Sequence, residues 1–409
     1  MNPLSTLLSR LALSARVRTA THVLGLTQII GWGTTMYVPA ILARPIVDDT
    51  GWSRTAVFAA FSCSLIIGAV AARPVGRIID ASGGRTAMAV GSGLTALGLL
   101  VASLATTLPV YFVAWAILGI AMRLVLYEAA FTALAVAGGP DARRAISVLT
   151  LYGGFASTIF WPIGWAIAES FGWRATFAAF AALNLFMCLP LHALFLPKAA
   201  PAGSSGASRS ETAPRSDAIL KDQDRNFALI VLTIAFALLM YVNSALSAHL
   251  IDTLVAFGLP GGTAVSIASL RGVGQVAARL WEILMAAGLQ PMTLCLVAIG
   301  LTPLAFLILL LGIGALTATM FALAQGASNG LVTIVRGVVP LLLFGSKNYG
   351  ALVGTMTAPA LMAAALAPAL HAAAVDLAGH GVAMALNAAA ASIAFLLVLV
   401  LAMRLRRQT

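Results

Sequence analysis

Apolar stretches of about twenty residues, parted by short polar joints, recur from one end of this 409-residue chain to the other. At 1.5 Å of rise per residue, a helix needs roughly that many residues to cross a ~30 Å hydrocarbon core. With 61% hydrophobic and 9% charged residues, the chain has too little polar surface to coat a soluble fold of this size. In hydrocarbon every backbone N–H and C=O must be satisfied by protein, which leaves helices or a closed barrel. The apolar runs are continuous and do not alternate at every second residue, so the barrel is excluded. The expected fold class is an all-α polytopic membrane protein.

Apolar runs read against loop signals place spans near 18–45, 54–72, 86–106, 109–134, 144–168, 173–196, 226–253, 262–285, 290–313, 315–341, 346–373 and 378–403. These twelve spans fall into two six-helix bundles, 18–196 and 226–403, joined by a linker at 197–225 rich in Ser, Ala, Pro and charge. Residues 1–17 lack acids and set Leu4, Leu7, Leu8 and Leu11 on one face, as expected of an amphipathic segment lying on the membrane; 404–409 form a short tail.

A net charge of +11 would suggest nucleic acid in a soluble protein, but here Lys and Arg lie on alternate short loops. Arg10, Arg16 and Arg18 precede the first span; Arg73, Arg77 and Arg85 follow the second; Arg143 and Arg144 follow the fourth. Five more lie in the linker, followed by Arg279, Lys347, Arg404, Arg406 and Arg407, while the opposite loops hold little beyond Arg54 and Arg174. By the positive-inside rule, both termini and the linker face the cytoplasm, in a cytoplasmic (inner) membrane. Cys63, Cys188 and Cys295 each fall in a different apolar run, which offers neither a disulfide framework nor a metal site. Five histidines with no His-Glu-x-x-His and no Gly-x-Ser-x-Gly argue against an enzyme. No cofactor is expected.

The two halves echo each other. "VGRIID" (Val75–Asp80) matches "AARLWE" (Ala277–Glu282), and "WP" at Trp161 and Pro162 matches "AP" at Ala367 and Pro368, at offsets of about 202 and 206 residues. Duplicated halves place a solute cavity at their interface near the bilayer midplane. Between the second and third spans, "GRIIDASGGR" (Gly76–Arg85) crowds three charges and three glycines into ten positions. With six plus six spans, Gly76, Asp80, Gly83 and Arg85 in this joint resemble the signature of the major facilitator superfamily, and "GWR" at Gly172–Arg174 is a further feature of that group. "GWGTTMYVP" in the first span and "GWSRTAVFAAFS" opening the second are similar to the monocarboxylate transporter and oxalate:formate antiporter group, although span 8 lacks the Asp-x-x-x-Arg pair of the former.

The resemblance implies a monomeric secondary active transporter that moves a small-molecule substrate between two pseudo-symmetric bundles by alternating access. Its surroundings are membrane lipid, and it leaves room for a coupling proton or a counter-anion. Glycines in the 76–85 joint are expected to turn sharply, with Asp80, Arg85 and Glu128 latching one mouth and Arg336 mirroring them in the second half. Ionisable groups inside spans cost roughly 2.5–3.5 kcal/mol each and mark function. Arg271 lies about 14 Å into span 8, near the midplane, where a guanidinium suits a carboxylate. Arg123 and Tyr127 share a helix face; Gln28, Trp32, Tyr37, Asn243, Gln275 and Asn329 are uncharged candidates for the cavity, with Gln325 beside them. His249 and Arg44 are expected at the membrane interface. The expected cargo is a mono- or dicarboxylate-like organic anion; the alternative is efflux of an amphipathic drug or an uncharged metalloid species.

Overall fold

The computed structural model describes residues 14–138, 141–196, 222–285, 289–309, 312, 314–344 and 349–406, without the side chains of 15, 16, 73, 80–83, 128, 135–138, 142, 143, 222, 223, 283, 285, 341 and 349–354. The linker, most of the N-terminal segment and the last three residues lie outside this set. Among the described residues the regular structure is helical, with no strand. The first half comprises α1 (Ala15–Thr34), α2 (Pro39–Thr50), α3 (Arg54–Ser103), α4 (Leu108–Val125), α5 (Tyr127–Gly138), α6 (Ala142–Gly154), α7 (Ala156–Leu183) and, after a π-helical turn at Asn184–Cys188, α8 (Leu189–Phe195). The second comprises α9 (Asp222–Ala256), α10 (Gly261–Met285), α11 (Pro291–Leu309), α12 (Ala315–Phe344) and α13 (Tyr349–Arg406). Eight described segments are long and apolar enough to cross a membrane, two of them 52 residues long.

The longest helices double back. In α7, Phe160 packs against Gly33, while Asn184, which directly follows α7, donates to the Thr34 hydroxyl at 2.9 Å, so the start and the end of α7 lie at one depth. Between them Gly172 takes φ 82°, ψ 168°. In α13, His371 and Asn387 are hydrogen-bonded at 2.9 Å across Gly379, at φ 81°, ψ 168°. That backbone region is essentially open to glycine alone. The two reversals are 207 residues apart, from 172 to 379, and repeat the offset of the Pro162/Pro368 echo. In α3, Phe61 meets Trp115 at 5.1 Å while Gly98 packs on Leu118, so α3 also doubles back between these two positions. The expected role of the joint's glycines is corrected at two positions. Neither Gly76 nor Gly84 has a positive φ; a Cβ on Gly84 would stand 2.5 Å from Ala133, so this glycine serves a close helix approach.

Three spans expected to be continuous are interrupted. The first breaks between α1 and α2, where the Thr34 and Thr35 hydroxyls bond back to the Ile30 and Gly31 carbonyls (2.8 and 2.6 Å) and Pro39 brings no N–H. The fourth breaks at Leu126, whose backbone is extended (φ −82°, ψ −163°). The fifth tightens at Phe155, whose N–H turns to the Tyr152 carbonyl at 2.9 Å. Irregular backbone at membrane depth must be satisfied by protein. Here Gln28 Nε2 donates to the Val125 carbonyl at 2.6 Å and Trp161 Nε1 to the Tyr37 carbonyl at 3.1 Å.

In the second half, α10 and α12 cross closely at the G-x-x-x-G of Gly326 and Gly330. A Cβ on Gly326 would overlap the Arg271 carbonyl, and one on Gly330 would lie 2.6 Å from the Gln275 carbonyl. Small residues permit such contact between membrane helices. The side chains beside these glycines then form two rungs: Gln325 Oε1 accepts from Arg271 Nε at 2.5 Å, and Asn329 Nδ2 donates to Gln275 Oε1 at 3.0 Å.

Candidate functional site

A cavity of about 310 Å³ lies between the halves. The first half contributes a mainly apolar and aromatic wall that includes Trp32, Tyr37, Phe61, Leu65, Met122 and Tyr127. The second contributes Asn243, Ser244, Ser247, Gln275, Asn329 and Thr333. Broken spans explain the first wall, since Tyr37, Leu126 and Gly153 lie at or beside the three interruptions and all line the cavity. Trp32 stands 6.2 Å from Tyr37 and 5.0 Å from Tyr127 between ring centroids, and Tyr127 is stacked on Phe131.

Three arginines reach this cavity, Arg123, Arg279 and Arg336, and no Asp or Glu is among its described lining residues. Arg279 Nη1 donates to the Thr150 carbonyl of the opposite half, and its guanidinium lies against the Tyr127 hydroxyl. Arg336 Nη1 meets the Met240 sulfur at 3.0 Å, its one hydrogen-bond partner among the described residues. A thioether is a weak acceptor, so most of the Arg336 donors remain available to a solute.

Arg271 corrects the expectation built on it. It is buried, 5% exposed, and stands behind the cavity wall. Its Nε, Nη1 and Nη2 donate to Gln325 (2.5 Å), Ser247 (3.1 Å) and Asn243 (2.7 Å), so neutral acceptors already occupy its fork. Gln28 is corrected likewise: it is fully buried off the cavity, holding the Val125 carbonyl and accepting from Trp32 Nε1 at 3.2 Å. Trp32, Tyr37, Arg123, Tyr127, Asn243, Gln275 and Asn329 do line the cavity, and Arg336, expected at a mouth, joins them. The Asp80, Gly83 and Glu128 side-chain positions lie outside the described set, and with them the expected latch to Arg85.

Sequence reasoning missed Arg279, whose place near a span end looked like a topology mark. It also missed the ionic contacts at the end of the molecule away from the linker, the far end. There Arg54 of the first half pairs with Asp252 of the second and stands 3.7 Å from Asp376, while Thr55 donates to Asp376 at 2.6 Å. Within the first half, Trp173 and Arg174 donate to Asp49 at 3.0 and 2.5 Å, which gives the Gly-Trp-Arg motif its use: a reversal followed by two anchors. Those donors, Arg174 first, hold the Asp49 carboxyl below its usual range. His249, expected at the interface, is fully buried between Phe58 and His371. No group of three or more His, Cys, Asp or Glu able to hold a metal occurs among the described residues.

A helical membrane protein with a cavity between two packed halves, one wall mainly apolar and the other carrying polar side chains, is built to carry a solute. The model of the Major Facilitator Superfamily matches residues 23–335, and the chain belongs to that family. It is a multi-pass membrane transporter and not an enzyme. Similar solved structures share the fold at low identity. A bacterial homologue of the human lysosomal transporter Spinster, inward-facing and unoccupied, aligns with TM-score 0.64 and 13% identity over 96% of both chains. The nucleoside transporter NupG aligns with TM-score 0.70 and 14% identity over 95% of this chain and 99% of its own. The human organic anion transporter MFSD10 aligns with TM-score 0.63 and 16% identity over 94% of this chain and 100% of its own. No curated protein matches the chain significantly in sequence.

Proposed function

We propose that this transporter moves a small organic anion by alternating access of the central cavity, with 18–196 and 226–403 as two six-helix bundles in a cytoplasmic membrane. One observation carries the reading: Arg123, Arg279 and Arg336 converge on a cavity with no carboxylate among its described lining residues, and among the described residues Arg336 has only a thioether partner. A solute carboxylate supplies acceptors for that guanidinium through charge-assisted hydrogen bonds worth roughly 1.5–3 kcal/mol each. Arg271 then acts one step back, fixing Asn243 and Ser247 in the wall.

The rival reading, efflux of an amphipathic drug, draws on the aromatic wall of Trp32, Tyr37, Phe61 and Tyr127. Three cations beside that wall disfavour a cationic drug. A thiol-bound metalloid finds no cysteine in the described lining. Purified protein in proteoliposomes, offered lactate, succinate and benzoate in parallel with tetraphenylphosphonium, separates the readings. Uptake of at least one carboxylate, competed by others and not by the cation, is expected; transport of the cation alone would replace this proposal with the efflux reading.

A further inference from the structure

Three histidines are buried in the interior, and they differ in one respect. His192 has both ring nitrogens occupied, Nδ1 by the Ser92 hydroxyl at 2.8 Å and Nε2 by the Thr27 hydroxyl at 2.9 Å. Among the described residues, His249 and His371 each leave one nitrogen without a partner: Nδ1 of His249 and Nε2 of His371. The tautomers follow from the partners that are present. His249 Nε2 lies 2.9 Å from the Pro368 carbonyl, which only accepts, so the hydrogen is on Nε2 and Nδ1 is a bare lone pair. His371 Nδ1 lies 2.9 Å from Asn387 Nδ2, which also donates to the Ala383 carbonyl, and that second bond fixes the amide. His371 Nδ1 therefore accepts, and its hydrogen is on Nε2. His249 Nδ1 is thus a buried basic nitrogen without a donor and a ready site for one more proton, while His371 Nε2–H beside it is a buried donor without an acceptor, and both are costly as they stand.

The place of this pair gives the site a consequence. The His249 ring is held between His371, at 4.5 Å between centroids, and Phe58 of the opposite half, at 3.8 Å. The Ser62 hydroxyl accepts from the Ala369 N–H at 3.3 Å across the same seam. The charged and titratable groups around it are Arg54 from the first half and, from the second, Asp252 one turn along the His249 helix, with Asp376 just before and His380 just after the Gly379 reversal. Arg54 is paired with the two acids, so they offer the imidazoles little compensation. Neither His249 nor His371 lines the solute cavity.

We propose that His249 and His371 form a proton-binding site, separate from the solute cavity, whose occupancy decides whether the two halves close at the far end. With the halves closed, a proton on His249 Nδ1 is an uncompensated charge under Phe58. When Phe58 withdraws with the first half, water reaches the ring and the proton is accommodated. The proton binds the open form better, and a ligand with such a preference shifts the population towards that form. Acid on the far side therefore holds the far mouth open, and closing releases the proton, which ties the cycle to the proton gradient.

Spin labels at Asp48→Cys and Ala256→Cys, on the far-end rims of the two halves, in a Cys63→Ser background, read the mouth directly by electron–electron double resonance in lipid nanodiscs between pH 8 and pH 5. The long-distance population is expected to grow as pH falls, with its midpoint on the acid side of the ordinary histidine range, because the closed form that excludes the proton is favoured at high pH. His249→Gln, which keeps a donor for the Pro368 carbonyl, and His371→Gln are each expected to abolish the response. His192→Gln and His380→Gln are expected to keep it. A pH-independent mouth in the parent protein, a response that survives in both His249→Gln and His371→Gln, or one lost in His380→Gln alone overturns the proposal. Nitrogen-15 histidine spectra of the unsubstituted protein at pH 8 provide a check that needs no variant to fold: neutral Nε2–H tautomers at both positions are expected, and a doubly protonated ring at either would contradict the site.

Discussion

Arg271 and Arg336 both lie in apolar helices, yet what surrounds them leaves different amounts for a solute. Among the described residues Arg271 has three neutral oxygen partners, while Arg336 has one sulfur. Arg336→Gln is accordingly expected to weaken anion binding at least about tenfold, each decade being ~1.4 kcal/mol, with Arg336→Lys recovering only part because an ammonium lacks the planar fork. Isothermal titration with the transported carboxylate measures both. Arg271→Gln is expected to act mainly on the fold, lowering thermal stability by freeing Asn243, Ser247 and Gln325 at once. Gln28→Leu is expected to cost about 1–3 kcal/mol by orphaning the Val125 carbonyl, seen as a lowered melting temperature without loss of the fold. Position along span 8 gave an expected depth for Arg271, but depth along a helix does not give direction, and direction was decided by its partners on α9 and α12. Arg279 was illegible for a related reason: a cation near the end of an apolar run satisfies the positive-inside pattern whether it faces a headgroup or a cavity.

At the scale of elements, two glycines and one crossing carry strong constraints. Gly172→Ala and Gly379→Ala each place a Cβ at a φ near +80°, and each is expected to lower stability by about 1–3 kcal/mol. Gly326→Val is expected to be worse, because its side chain would enter the Arg271 carbonyl and part the Arg271–Gln325 and Gln275–Asn329 rungs together. Thermal unfolding of the three variants in one detergent ranks them; equal melting temperatures would deny the close crossing. Hydropathy made the helical class legible, and eight described segments are long and apolar enough to cross a membrane. It hid the breaks, because Leu126 and Phe155 are as apolar as the helices they interrupt, and only the Thr34–Thr35–Pro39 cluster left a mark in the sequence.

For the whole molecule, the described ionic contacts between the halves gather at the far end, through Arg54 with Asp252 and Asp376, while the cavity lies deeper between the bundles. Asp376→Asn removes one of two acids facing Arg54 and is expected to raise the open population at the far mouth at every pH, read by the same label pair. The alternating Lys and Arg census predicts a cytoplasmic linker, and on that expectation a cysteine at Ser205 resists an impermeant maleimide in intact cells and reacts after lysis. The central claim is that three cavity arginines make this family member an organic-anion carrier, and its most direct test is uptake in proteoliposomes by the wild type and Arg336→Gln. The account predicts saturable carboxylate uptake by the wild type that falls at least about tenfold at low substrate in Arg336→Gln, each decade being ~1.4 kcal/mol. Equal carboxylate uptake by the two proteins, or uptake confined to a cationic or neutral solute, would contradict it.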